Sequence, residues 1–139
     1  MFFSKGCEYA LRATMYLAQY DGNEKVGIHV IAKDLDVPMH YLSKVMQILV
    51  KNGVISSNKG RNGGFYLTES EVNEPLIRIV HAIDGVEVFR KCGLGIKDCS
   101  SKQPCPIHYD IKDYRDNLMK VLSNNSIGSK IDGETFLVK

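Results

Sequence analysis

Hydrophobic residues recur along this chain mostly at the three- and four-residue spacing of amphipathic helices. The clearest run is Leu42, Val45, Met46, Leu49 and Val50, which predicts a helix over about 38–51 closed by Asn52-Gly53. Ahead of it, Ile28, Ile31, Ala32 and Leu35 predict a shorter helix over about 29–35, after a brief extended piece at 26–28. Asp36-Val37-Pro38 then forms a tight connection, with Pro38 suited to the first turn of the next helix. Ser4 is placed to cap a first helix reaching about residue 20, with Tyr9, Ala13, Tyr16 and Leu17 facing inward and Asp21-Gly22-Asn23 as its stop.

The period changes after Gly53. Residues 54–58 and 65–67 read as strands separated by Lys59-Gly60-Arg61-Asn62-Gly63-Gly64, a hairpin whose glycine-rich tip displays two cations. A fourth helix is expected from Asn73-Glu74-Pro75 through Leu76, Ile79, Val80 and Ile83 to Gly85. A last helix over about 109–124 sets Ile111, Tyr114, Leu118, Val121 and Leu122 in one apolar stripe. It would be about 24 Å long at the helical rise, more than so small a domain needs for its own core, so the stripe points to pairing with a second copy. The expected fold is mainly α with a small β-hairpin wing: a winged helix-turn-helix plus a long C-terminal dimerisation helix. Residues 1–85 would form the DNA-binding domain, 86–108 a cysteine-rich loop, and 109–139 the dimerisation helix and tail.

With 139 residues, 44% hydrophobic and 24% charged, the chain can bury a core and is not a disordered polyampholyte. No apolar run approaches the roughly 18 residues of a membrane span, and Met1-Phe2-Phe3-Ser4-Lys5 leads into mixed sequence rather than a signal peptide. A cytoplasmic protein with no membrane partner is expected.

The net charge of +2 becomes informative once it is located. Residues 37–68 hold Lys44, Lys51, Lys59 and Arg61 and no Asp or Glu, whereas the segments before and after each sum to −1. A phosphate-facing surface requires such a stretch, because each carboxylate would repel the nucleic-acid backbone. The polar face of the third helix carries Met39, His40, Ser43, Lys44, Gln47 and Lys51. On its own such a face is ordinarily a solvated surface. A short helix, a tight turn, this helix and then a basic hairpin make it the recognition helix of a double-stranded DNA reader. Met39, His40, Tyr41, Ser43, Lys44 and Gln47 are the expected groove-facing residues, with Lys59 and Arg61 on the wing reaching phosphate or the minor groove.

Three of the four cysteines lie between Cys92 and Cys105 in a segment rich in Gly, Pro and Ser. Clustering in such a loop argues against packing, and disulfides are disfavoured in a cytosolic DNA binder. The pattern C-x6-C-x5-C-x2-H, formed by Cys92, Cys99, Cys105 and His108, offers three thiolates and an imidazole. That set suits tetrahedral zinc, although it lacks paired C-x2-C knuckles. The wide, glycine-bearing spacing suits an iron–sulfur cluster, and redox-active thiols are the third reading. Cys7 reads as a small buried hydrophobe. Cys7, His29, His81 and the scattered carboxylates form no catalytic constellation, so an enzyme is not expected. An iron–sulfur electron carrier would need the cysteines but not the acid-free helix and wing.

The order of winged helix, three-cysteine loop and long helix resembles the Rrf-two family of bacterial transcription regulators. The marks are Phe3-Ser4-Lys5-Gly6-Cys7-Glu8-Tyr9-Ala10-Leu11, Val37-Pro38-Met39-His40-Tyr41-Leu42-Ser43-Lys44 and Gly60-Arg61-Asn62-Gly63-Gly64-Phe65-Tyr66-Leu67, followed by the cysteine loop. The resemblance implies a homodimer crossed by its long helices, with a cluster held beside the interface by Cys92, Cys99 and Cys105. His108 stands where some members supply a histidine ligand. Glu8 stands where others supply an acidic ligand from the partner subunit's first helix. The six residues between Cys92 and Cys99 are one more than in the typical loop of histidine-ligated members. A [2Fe–2S] cluster is expected ahead of [4Fe–4S], with zinc the alternative.

Overall fold

The computed structural model describes residues 3–20, 24–96 and 98–129. Its elements run α1 (Lys5–Leu17), α2 (Ile28–Leu35), α3 (Met39–Lys51), β1 (Ser56–Asn58), β2 (Gly64–Tyr66), α4 (Glu69–Val72), α5 (Ile77–Asp84), a 3-10 turn (Glu87–Phe89) and α6 (His108–Asn124). This is the mainly helical winged architecture expected, with differences at the element ends that each have a local cause.

Ser4 caps α1, its Oγ accepting from the Cys7 backbone N–H at 3.1 Å. The helix stops at Leu17, earlier than residue 20, and the expected stop at 21–23 lies outside the described residues. Fully buried Ala10 and Ala13 let α1 approach α3 and α5 closely. α2 ends on Asp36 in the left-handed conformation, φ 53°, whose N–H returns to the carbonyls of Ala32 and Lys33. Arg12 reaches from α1 to donate to the Leu35 carbonyl, tying down the same turn. Pro38 sits one position before the helix, and its carbonyl accepts the Leu42 N–H at 2.9 Å.

Ile31, Leu35, Leu42, Met46 and Leu49 are fully buried and form the centre of the head, as their periodicity predicts. Each contributes about 1.5–3 kcal/mol by burial. Val54 and Ile55 are also buried, so the expected first strand divides: its start is core and only Ser56–Asn58 forms the ladder.

The wing pairs Ser56 with Tyr66, Ser57 with Phe65 and Asn58 with Gly64. Val26 adds a third rung, exchanging two 2.9 Å backbone hydrogen bonds with Phe65. Gly64 has φ +150°, and a Cβ there would meet the Val26 backbone at 2.7 Å. Only glycine lets the edge of the head lie so close to the wing.

The one-turn α4 is an addition to the expected elements. Its capping box is complete: Thr68 Oγ1 accepts from the Glu71 N–H at 3.3 Å, and the Glu71 carboxylate accepts from the Thr68 N–H at 2.8 Å. α5 begins at Ile77 rather than near 73–75 because those residues bond elsewhere. Leu76 N–H donates to Asn125 O at 2.9 Å, and Ile127 N–H to Glu74 O at 2.8 Å. The chain beyond α6 therefore returns to the head, and Ile127 is buried in its core.

α6 has 17 residues and is about 26 Å long at the helical rise. Leu122 is buried and Ile111 and Leu118 are half-buried, whereas Tyr114 and Val121 are each 55% exposed. Its own head thus covers only part of the apolar stripe. A second core of Cys7, Val80, Phe89 and Leu122 joins α1, α5, the 3-10 turn and α6. Among the described residues no helix is long and apolar enough to cross a membrane.

Candidate DNA interface and cysteine loop

Helix α3 turns Leu42, Val45, Met46 and Leu49 inward and leaves Met39, His40, Lys44, Gln47 and Lys51 exposed, with Ser43 half-buried. Tyr41 lies on the flank of this face, its ring meeting Tyr9 of α1 edge-on at 5.6 Å. It stands beside Gly6, where a Cβ would lie 3.0 Å from the Tyr41 hydroxyl. Lys59 and Arg61 are exposed at the wing tip, shaped by Gly60 at φ +101° and a 3.0 Å bond from the Gly63 N–H to the Gly60 carbonyl. None of Lys44, Lys51, Lys59 and Arg61 takes part in an ion pair among the described residues. Their charge is directed to solvent and available to an anionic partner.

Lys25 adds a cation beside the wing, 5.6 Å from the Tyr66 ring centroid. Sequence position assigned it to the first third of the chain. Only the Val26–Phe65 pairing brings it to the wing, so no linear signal marked it.

The cysteine loop is organised around His108, the first residue of α6 and only 3% exposed. Its Nδ1 lies 3.1 Å from Cys99 Sγ, its Nε2 lies 3.3 Å from Ser101 Oγ, and Tyr109 meets the ring edge-on. His108 N–H donates to the Cys105 carbonyl at 3.0 Å, and Cys99 N–H donates to the Arg90 carbonyl at 2.7 Å. Lys91 and Asp98 form an antiparallel bridge that folds the loop back on itself. Cys92 is buried, while Cys99 and Cys105 are half-buried. The structure thus brings Cys99 to His108 and Cys105 to the same turn. Among the described residues no three His, Cys, Asp or Glu side chains gather as one group. Arg115, on the same face of α6 as His108, is buried and donates from Nη1 to the Lys91 carbonyl at 2.7 Å.

Glu8 is half-buried on α1 and pairs with Lys5 at 3.5 Å. Cys7 is fully buried, its thiol pushed up to about 12 by burial first and then by Asp84. That holds it neutral and unreactive, in agreement with a packing role. His29 and His81 are exposed, as expected for surface positions.

The donor set fits a metal or cluster by its chemistry: three thiols and an imidazole lie on one segment. A thiol–imidazole pair is already formed there, and the buried guanidinium of Arg115 has an Nε without any partner. The fit is one of ligand type and local charge, with the donors still to be drawn together around a guest.

A recognition helix without carboxylates beside a basic two-stranded wing defines a winged helix-turn-helix DNA-binding protein. The family model for Rrf2, described as an iron-dependent transcriptional regulator, matches residues 3–132, and the chain belongs to that family. The transcriptional regulator NsrR of Geobacillus kaustophilus is 27% identical over 134 residues, spanning 94% of this chain and 89% of that protein. The transcriptional regulator IscR of an Enterobacter species is 27% identical over 135 residues, spanning 96% and 81%. The structure of CymR, the global cysteine regulator of B. subtilis, superposes with a TM-score of 0.74 at 19% identity, over 90% of this chain and 92% of that one. That likeness supports the fold. The chain is accordingly a transcriptional regulator of the Rrf2 family.

Proposed function

We propose that this regulator binds operator DNA as a homodimer and that an iron–sulfur cluster held by Cys92, Cys99, Cys105 and His108 sets its affinity. The observation that carries the reading is the Cys99–His108 pair at the head of α6. It sits where the cysteine loop and the half-covered apolar stripe of that helix meet. [2Fe–2S] is favoured over [4Fe–4S] because an imidazole suits a cluster whose last ligand is not sulfur. When bound, the group would supply a redox- and ligand-responsive anionic centre.

In this reading residues 1–85 form the DNA-binding head, 86–108 the sensor loop and 109–139 the dimerisation helix and tail. His40, Ser43, Lys44 and Gln47 face base edges, flanked by Met39 and Tyr41, and Lys59 and Arg61 contact phosphate or the minor groove. Closing the loop on a ligand pulls on Phe89 and on α6, and both pack into the second core with Cys7 of α1. Through that joint the loop can favour one arrangement of the two heads over another. A coupling of about 1–3 kcal/mol changes DNA affinity roughly 5- to 150-fold.

Anaerobic protein is expected to show a visible chromophore with stoichiometric iron and sulfide. Cys99→Ala should abolish it, His108→Ala should shift or weaken it, and Cys7→Ala should leave it intact. Loss with Glu8→Ala but not with His108→Ala assigns the fourth ligand to the partner's first helix. Stoichiometric zinc without sulfide establishes instead the second reading, a zinc-bound or thiol-based sensor. That reading is favoured by the two-donor rather than four-donor grouping among the described residues. Failure to shift any duplex in a gel-retardation assay overturns the operator-binding proposal itself.

A further inference from the structure

Arg115 is 7% exposed, and its Nε is buried without a hydrogen-bond partner. No ion pair among the described residues includes it. The adjacent carboxylate of Asp116 is committed to Lys112 at 2.8 Å. A guanidinium taken out of water without a countercharge is among the costliest groups a fold can keep. A single hydrogen bond to a backbone carbonyl does not compensate it.

Its position gives the reason for keeping it. Arg115 follows His108 by seven residues, which places both on one face of α6 two turns apart. The carbonyl it holds belongs to Lys91, next to Cys92. Gly93 lies against Ile111 on the same helix, so closely that a Cβ there would meet the Ile111 side chain at 2.9 Å. The first half of the cysteine loop is therefore pressed onto the face that carries the unpaired charge. A divalent ion bound by three thiolates and a neutral imidazole has a net single negative charge, and a cluster bound the same way is anionic too.

We propose that Arg115 is the built-in countercharge of the centre formed by Cys92, Cys99, Cys105 and His108. Its positive charge, more than its hydrogen bond to Lys91, sets how tightly that centre is held. The inference rests on reading the loop as a metal- or cluster-binding site.

The test titrates anaerobic, metal-free protein with Co²⁺ and follows the thiolate-to-cobalt absorption in the full-length wild type, Arg115→Lys and Arg115→Met. Both variants lose the guanidinium fork, but only the methionine loses the charge. Arg115→Met should bind Co²⁺ at least about tenfold more weakly, the scale of one charge pair at an effective dielectric near 20, while Arg115→Lys stays within about threefold of wild type. Equal weakening in both variants overturns the proposal and leaves Arg115 a positioning residue for Lys91. Three equal affinities overturn it as well. If wild type gives no thiolate-to-cobalt absorption, the metal-binding reading of the loop falls and the countercharge falls with it. Should Arg115→Met not fold, Arg115→Gln, which is also uncharged, takes its place with the same expected loss.

Discussion

In the head, a continuous apolar core runs from Ala10 through Ile31, Leu42 and Leu49 to Ile127. Between Lys91 and Cys105, by contrast, Cys92 is the only buried residue among those described, and Leu94 and Ile96 stand 51% and 77% exposed. The head is over-determined by burial, so the face of α3 and the wing keep their relation whatever happens elsewhere. The loop is held by backbone bonds at its ends, the Cys99–His108 pair and the reach of Arg115. A segment with so little apolar burial has low local stability and draws a large share of its order from whatever it binds. A fixed reader and a ligand-ordered sensor are thus built from different kinds of sequence within one short chain.

The sharpest break of that contrast is in packing. Leu42→Ala in the head should cost about 2–5 kcal/mol and DNA binding with it, whereas Ile96→Ala in the loop should change stability by less than about 0.5 kcal/mol. Urea unfolding of metal-free protein measures both, and comparable losses would show that the loop has a core of its own.

Next in size are the two parts of the reading surface. Gln47→Ala should cost about 1–3 kcal/mol at particular base pairs and relax preference there. Lys59→Ala should weaken all duplexes alike and reduce the log–log salt slope by about one for each protomer. Titrations of a panel of duplexes at several salt concentrations separate these outcomes, and identical losses from both variants would contradict the division.

Gly64→Ala tests how the wing is attached. A methyl group there meets the Val26 backbone in a conformation that favours glycine, and the strain is expected to cost about 1–3 kcal/mol. DNA affinity should fall with it, because Lys25, Lys59 and Arg61 all depend on that junction.

The smallest effect is a pH dependence confined to the head. Burial and Asp84 push the Cys7 thiol up to about 12, and burial with the hydrogen bond to Asp34 raises the Tyr16 hydroxyl. In the unfolded chain these groups ionise near about 8.5 and 10. The folded state holds its protons more tightly, so the stability they contribute is complete at neutral pH. It is lost as the pH rises from about 9 toward 12. Urea midpoints should decline over that range, and Cys7→Ala should flatten the first part of the decline while leaving the Tyr16 part in place.

Much of the reader was legible from periodicity alone. Leu42, Val45, Met46 and Leu49 face inward and Lys44 and Gln47 face out, because helical spacing settles which side of a helix meets the core. The Thr68-x-x-Glu71 capping box was legible too, since a side chain at the first position of such a helix reaches its own third residue. Its signal was hidden because a four-residue helix has no hydrophobic period to announce it.

The sequence by itself determined the helical reader, the basic hairpin and a set of thiol and imidazole donors, all of which depend on contacts a few residues apart. Tertiary structure decided what depends on distant partners. Ile127 N–H, donating to the Glu74 carbonyl, draws the chain beyond α6 back to the head and helps to set where α5 begins. The Val26–Phe65 rung brings Lys25 to the wing. The fold of the loop onto α6 buries Arg115 without a countercharge while setting Cys99 against His108. Spacing can specify which groups share a helix face. Whether a charge on that face is compensated is decided by what the rest of the chain packs against it.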